Sequence, residues 1–218
     1  MARRTKADAQ ATRAGLLDAA EHLFQSHGVA RTSLNDIALA AGTTRGAIYW
    51  HFKDKSDLFN AMMERVTLPL EQTLALANLE RAHDPVAQLR HAFLQALRLI
   101  ASDKQTHRVL LIATHKVEYT EELCAVQQRH LRSQASALRY IHTALAAAFE
   151  MNKKAPPVPL EAAAGGLQML VEGLLHQWLL NPEAFDLVGT GASVLNVYLT
   201  GLGLAGLQAL PSDTADSA

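Results

Sequence analysis

The sequence predicts an all-α fold of nine helices, arranged as a three-helix head at the N-terminus and a larger helical body. Alanine and leucine dominate the 218 residues, and no segment alternates apolar and polar residues over the length of a strand. Apolar residues instead recur at helical spacing, with glycine or proline where several of the helices are expected to end. We expect the head over residues 1–54, the body over residues 55–210 and a disordered tail over residues 211–218.

The composition is that of a protein with a packed core. Hydrophobic residues make up 49% of the chain and charged residues 19%, which argues against disorder. The formal net charge of −1 excludes a uniformly basic nucleic-acid binder. Residues 1–55 nevertheless carry eight Lys and Arg against five Asp and Glu. A basic head on an acidic body indicates that only the head meets a polyanion, with chance composition as the alternative.

Several classes of protein are disfavoured by what the sequence lacks. The single cysteine, Cys124, excludes an intrachain disulfide and favours a reducing compartment. No apolar run follows the basic N-terminus, and no stretch approaches about 18 uninterrupted apolar residues, so neither a signal peptide nor a membrane span is expected. Scattered histidines and the absence of a nucleophile–base set predict no metal, no cofactor and no enzymatic activity. We expect a cytoplasmic protein without a membrane partner.

The head is predicted to hold three helices, whose starts and ends are marked by capping residues and glycines. Apolar residues recur every three or four positions in the first helix, and Gly28 ends it. Thr32 or Ser33 offers the N-cap of the second helix, which Gly42 ends after two turns. The expected bounds are residues 9–27, 34–41 and, after a cap at Thr43 or Thr44, up to His51.

The body is predicted to hold six further helices. Pro69 is expected to kink the first of them without ending it. Asp84 followed by Pro85 is typical of an N-cap and a first helical position. Lysine and proline over residues 153–159 mark the clearest loop. The expected ranges are about 55–79, 85–102, 106–116, 120–152, 160–180 and 186–210.

The second and third helices form a helix-turn-helix, because the tight turn at residues 41–44 joins them and their apolar residues can share one core with the first helix. The third helix carries small residues at its start, which allow close approach to a DNA groove. Arg45 can bond guanine bidentately, and a helix N-terminus favours phosphate. Tyr49, Trp50 and His51 can pack on sugars or donate to phosphate oxygens. These features together predict that the head binds double-stranded DNA.

The segment Thr44–Lys55, with the sequence TRGAIYWHFKDK, closely resembles the TetR/AcrR family of bacterial transcriptional repressors. The N-terminal residues 1–13 and the form of the motif with Trp50 are similar to the subgroup that controls multidrug efflux operons. The resemblance implies a TetR-type homodimer that represses an efflux operon and is released by hydrophobic or aromatic small molecules. A family member that regulates metabolic or fatty-acid genes is the alternative.

Carried over residue by residue, the family pattern implies DNA contacts at the starts of the second and third helices and at the start of the fourth, where Lys55 matches a phosphate-contacting lysine. Arg3, Arg4 and Lys6 resemble in composition a basic arm that adds contacts. Core packing is the alternative role for Tyr49. The implied DNA-binding residues are Thr32, Ser33, Thr43, Thr44, Arg45, Gly46, Tyr49, Trp50, His51 and Lys55.

The body is expected to enclose an apolar pocket beneath the head, suited to aromatic ligands. Glu172 matches the acidic position that anchors ligands in the similar subgroup, whereas Leu110 and Thr114 are less polar than that subgroup's residues in the sixth helix. Ordinary core packing is the alternative for each apolar candidate. The candidate ligand-binding residues are Leu68, Leu89, Phe93, Leu97, Leu110, Ala113, Thr114, Val117, Met169 and Glu172.

The eighth and ninth helices are expected to form the dimer interface. Glycine inside a helix costs about 1 kcal/mol relative to alanine, so several glycines in the ninth helix suggest close contact with a twofold-related helix. A frayed C-terminal helix is the alternative. A helical ligand-binding protein without DNA function would leave residues 33–55 unexplained. The glycines concerned are Gly189, Gly191, Gly201, Gly203 and Gly206.

Overall fold

A computed structural model describes residues 6–76, 84–118 and 121–204, with the backbone alone for residues 68–76 and 122. The described chain is helical apart from turns and loops, and none of its helices is long and apolar enough to cross a membrane. A short 3₁₀ helix, Glu121–Leu123, precedes the seventh α-helix. The helices are α1 (Lys6–His27), α2 (Leu34–Ala40), α3 (Arg45–His51), α4 (Lys55–Leu76), α5 (Pro85–Ser102), α6 (Lys104–His115), α7 (Cys124–Met151), α8 (Leu160–Leu180) and α9 (Leu187–Gly201).

The predicted all-α fold of nine helices is confirmed for the described residues, and several ends differ from expectation. The first helix begins three residues earlier than predicted, at Lys6. α6 begins at Lys104 rather than Thr106, because Asp103 caps it by accepting a hydrogen bond from the Thr106 backbone N–H at 2.7 Å. α4 continues through Pro69, as expected. Arg3, Arg4 and the predicted tail at 211–218 lie outside the described residues.

The predicted end of the ninth helix at Leu210 is wrong, because α9 ends at Gly201 in a Schellman motif. Leu204 N donates to Leu199 O and Gly203 N donates to Thr200 O, both at 2.9 Å. Gly203 has φ 73°, a left-handed conformation that glycine adopts without steric cost.

Contacts and backbone conformation within one protomer explain three glycines in or just after α9, and the sequence did not reveal these causes. A side chain at Gly191 would meet the Leu97 side chain of α5, so this glycine permits close packing of α9 on α5. A side chain at Gly189 would meet the Asp186 carboxylate that caps the helix. Gly203 ends the helix, as described. At these three positions the glycines therefore have an explanation that needs no second subunit.

The core of the head does not stop at residue 54. Phe24 of α1, Ile37 of α2 and Ile48 of α3 are buried in one cluster with Phe59 of α4 and Ile112 of α6. The body has two further clusters. One joins α5, α7, α8 and α9, and the other surrounds Trp178. The head is therefore packed as part of a continuous structure with α4 and α6.

Candidate DNA-binding surface and ligand cavity

The turn between α2 and α3 is fixed by a second Schellman motif. Thr43 N donates to Ala38 O at 2.9 Å and Gly42 N donates to Leu39 O at 3.0 Å. Gly42 has φ 65°, which only glycine adopts readily. Thr44 then caps α3, because its hydroxyl accepts a hydrogen bond from Ala47 N at 3.2 Å. Local chemistry thus sets the angle between the two helices.

The start of α2 is held by a capping box. Ser33 Oγ accepts from Asp36 N at 3.2 Å, and Asp36 Oδ2 accepts from Ser33 N at 2.9 Å. Hydrogen bonds from Ser33 lower the pKa of the Asp36 carboxyl. The cap is therefore Ser33, whereas Thr32 is only 3% exposed and donates its hydroxyl to Gly28 O at 2.8 Å.

α3 presents one exposed face away from the head core. Ile48 faces the core, while Tyr49 is exposed and Trp50 is 75% exposed. The Arg45 guanidinium lies 5.8 Å from the centre of the Tyr49 ring, and Trp50 contacts His51 edge to face at 4.8 Å. Two adjacent exposed aromatic side chains on a short helix make this face a candidate binding surface. Thr43 and His51 are half-buried. Thr44, Arg45 and Gly46 are exposed on the same short segment as Tyr49 and Trp50.

Lys55 lies beneath the loop that leads into α2 and also lines the open groove beside that loop, so its phosphate contact stays a prediction. Lys55 is only 7% exposed, and its ammonium lies 3.4 Å from both Ala30 O and Thr32 O. The charge thus braces the loop that leads into α2. An open groove of about 360 Å³ separates this loop from Tyr49, and Lys53 is an exposed cation in its lining. Sequence reasoning missed Lys53, although it stands only two residues before Lys55.

A small cavity of about 190 Å³ lies between α4, α6 and α7. Of the predicted pocket residues, Leu110 and Ala113 line it. The sequence analysis did not predict the remaining lining residues, which come from one face of α4 and from α7. No candidate residue had been assigned to α7. These residues are Phe59, Met63, Thr67, Val126, Arg129, His130, Ser133 and Gln134.

The α7 wall of the cavity is polar apart from Val126, and its side chains form hydrogen bonds with α4 and α8. Arg129 donates to Glu64 Oε1 and to Thr67 Oγ1, each at 3.0 Å. Gln134 Nε2 donates to Glu172 Oε1 at 3.2 Å, and Gln168 donates to the same oxygen at 2.8 Å. Glu172 is therefore hydrogen-bonded to a residue of the cavity wall, Gln134, without lining the cavity itself. The signal in the sequence was the spacing of residues 126, 129, 130, 133 and 134, which repeats on one helix face.

The other predicted pocket residues lie elsewhere. Leu89 and Leu97 are buried in the body core, with Phe93 packed between its two clusters. Val117 packs against the head core. Thr114 is exposed, Met169 is 73% exposed, and the Leu68 side chain lies outside the described residues. These predicted pocket residues are therefore distributed between the protein core and its surface.

Two segments of the chain match known protein families. Residues 16–62 match the bacterial regulatory proteins of the tetR family. Residues 84–203 match the C-terminal region of MAATS-type transcriptional repressors. The first segment contains α2 and α3, and the second contains α5 to α9.

Relatives and solved structures are similar over nearly the whole chain. The transcriptional regulator TtgR of Pseudomonas putida is 38% identical over 87% of this chain and 90% of its own. NalD, described as the secondary repressor of the MexAB-OprM multidrug efflux pump in Pseudomonas aeruginosa, is 34% identical, with a TM-score of 0.80 over 90% of this chain and 98% of its own. The complex of SmeT, the repressor of a Stenotrophomonas maltophilia efflux pump, with triclosan is 31% identical, with a TM-score of 0.78 over 94% and 100%.

Lys55 and Lys53 are expected to act differently. Lys55→Ala removes the cation from two loop carbonyls, so we expect the free energy of unfolding to fall by about 1–3 kcal/mol, together with weaker DNA binding. Lys53→Ala should weaken binding and lower the salt slope by about one without affecting stability. Thermal unfolding and fluorescence anisotropy with a DNA site selected from random duplexes measure both quantities. Unchanged stability of Lys55→Ala with lost binding would make Lys55 a direct phosphate ligand.

Proposed function

Because the chain belongs to the tetR family of bacterial regulatory proteins, a family of transcription regulators and not of enzymes, we propose that it represses a multidrug efflux operon in the cytoplasm of a bacterium. The observation that carries the proposal is the exposed face of α3, on which Arg45 and two aromatic side chains project from a rigid helix-turn-helix. NalD and SmeT, which are 34% and 31% identical and are described as repressors of multidrug efflux pumps, support the choice of operon.

Operator DNA is proposed to receive α3 in its major groove. Arg45 then reads a base, while the N-terminus of α2 at Ser33 and the cation Lys53 contact phosphates on either side. Tyr49 and Trp50 pack on sugars and bases. The buried Lys55 and Thr32 support the contacting loop. The proposed DNA-contacting set is Ser33, Thr43, Thr44, Arg45, Gly46, Tyr49, Trp50, His51 and Lys53, with Thr32 and Lys55 beneath it.

A homodimer is proposed to form through α8 and α9. Met169, Gly173 and Leu180 are exposed along one stripe of α8, and Val197 and Gly201 are exposed on α9. A Cβ at either of these two glycines would meet nothing within 4 Å, so both leave room for a second helix. Leu167 and Leu195, in contrast, are buried within the protomer. The stripe supports an interface that leaves the protomer core untouched.

The cavity between α4, α6 and α7 is proposed to bind hydrophobic or aromatic ligands that release the DNA. Its apolar side from α4 and α6 suits an aromatic ring, and the polar α7 side offers hydrogen bonds. A ligand that prefers the DNA-free conformation must lower operator affinity by linkage. The SmeT complex supports triclosan as the first compound to test.

Arg45→Ala is expected to weaken operator binding by about 1–3 kcal/mol and to relax sequence preference, because a base-reading contact is lost. Lys53→Ala, the matched control, should weaken binding to all sequences alike. Competition gel shifts with operator and scrambled duplexes give both numbers. Unchanged preference in Arg45→Ala would move base reading to another residue.

Val197→Arg is expected to yield a folded monomer, because it places an unpaired charge at the proposed twofold axis while leaving the protomer core intact. Met151→Arg, at another exposed apolar position at the end of α7, should remain dimeric. Sedimentation velocity and far-UV circular dichroism separate association from folding. A dimer in Val197→Arg would place the interface elsewhere.

Ala113→Trp is expected to abolish release of operator DNA by triclosan, because the larger side chain fills the cavity. Ala101→Trp, at an exposed position near the end of α5, should respond like the wild type. Both variants should bind operator in the absence of triclosan. Binding of triclosan by calorimetry without any change in operator affinity would contradict ligand control.

A further inference from the structure

One buried carboxylate, that of Glu21 in α1, connects the head to α4 and α6, two of the three helices that line the cavity. Glu21 is 2% exposed, and no other carboxylate is buried among the residues whose side chains the structure describes. Its Oε1 accepts hydrogen bonds from Arg65 of α4 at 3.2 Å and from Gln105 of α6 at 2.9 Å. The Arg108 Nε of α6 lies 3.5 Å from its Oε2. We call these four side chains the Glu21 clamp.

The clamp and the cavity share the same stretches of helix. Arg65 stands between Met63 and Thr67, the α4 residues that line the cavity. Arg108 stands one half-turn before Leu110, which lines it from α6. Any ligand that changes the separation of α4 and α6 therefore changes the separation of the two guanidinium groups.

The guanidinium groups of Arg65 and Arg108 compensate the negative charge of the buried Glu21 carboxylate. Burial raises the pKa of the Glu21 carboxyl, opposed by the hydrogen bond from Gln105 and by the charges of Arg65 and Arg108. A buried carboxylate that loses a cation is left uncompensated. It is thus favourable for α1 to move with the arginines rather than to separate from them.

We propose that the Glu21 clamp transmits the spacing of α4 and α6 to α1, and so couples the cavity to the DNA-binding head. Glu21, Arg65 and Arg108 are then positioning residues: they touch neither ligand nor DNA. The inference rests on the proposed ligand control, and it assigns that control to a specific set of contacts.

The test measures the ratio of operator Kd with and without saturating triclosan. Wild type should show a ratio of about ten or more, equivalent to about 1.4 kcal/mol. Glu21→Gln keeps the size of the side chain but removes its charge, and Arg108→Gln removes the cation of α6. In both variants the ratio should fall to about one, while operator affinity without ligand stays within about threefold of wild type.

Asp18→Asn is the matched control. Asp18 also pairs with Arg65, at 2.7 Å, but this ion pair joins α1 to α4 alone, so its variant should keep the wild-type ratio. A ratio of ten or more in Glu21→Gln and Arg108→Gln would overturn the clamp. A ratio of one in wild type would instead overturn ligand control by triclosan, which distinguishes the two failures.

A measurement without ligand keeps the clamp testable in every case. Gln10 of α1 is exposed, and Cys124 at the start of α7 is an exposed free thiol. Spin labels on Gln10→Cys and Cys124, in chains diluted about tenfold with unlabelled wild type, report the distance from head to body. Glu21→Gln and Arg108→Gln should broaden this distance distribution, whereas Asp18→Asn should not. An unchanged distribution would overturn the clamp even if triclosan does not bind.

Discussion

The packing of α1 against α4 and α6 around the buried Glu21 carboxylate is the constraint on which the arrangement of this molecule depends. A three-helix DNA-binding head could in principle be joined to its body by a single helix and move freely. Here the head core continues into α4 and α6, and Val29 N donates to Lys116 O at 3.1 Å, so the loop after α1 is also attached to the end of α6. The head therefore has three attachments to the body: a shared core, a backbone hydrogen bond and an ion cluster.

The response of such a junction to a ligand depends on how the cost of breaking its ion pairs compares with the free energy of the proposed change in operator affinity. A tenfold change in operator affinity requires only about 1.4 kcal/mol. Breaking a buried ion pair by removal of one partner costs about 3–5 kcal/mol, and half of that remains larger even though the Arg65 and Arg108 side chains are 28% and 23% exposed. The junction is therefore stronger than the signal that the proposed ligand control requires it to carry. A small displacement of α4 relative to α6 moves α1 before it breaks the contacts to Glu21.

The parts of the structure that could be predicted are those with local causes. Ser33, Gly42 and Thr44 cap or end their helices through groups three to five residues away, so the helix-turn-helix could be predicted from the sequence alone. The glycines of α9 could not be interpreted in the same way. Gly191 is set by a leucine of another helix and Gly203 by its backbone conformation, and both look alike in the sequence. The polar face of α7 was missed for a related reason: periodicity shows that a face exists, but only packing shows that it points inward.

The geometry of α4 explains why small displacements would matter in the proposed dimer, which has to match two half-sites. α4 has 22 residues and is therefore about 33 Å long. If its body end stays fixed, a tilt of about 5° moves its head end by about 3 Å, which is close to the rise of about 3.4 Å between base pairs. In the proposed dimer the two heads must match half-sites about 34–36 Å apart, and their displacements add when the ligand acts on both protomers. α1 shares a core with α4 and is joined to α6 through Glu21, so this tilt moves the recognition helix α3 as part of one body. Under the proposed ligand control, a ligand in the cavity of about 190 Å³ would have to shift the cavity walls only slightly to take both recognition helices out of register.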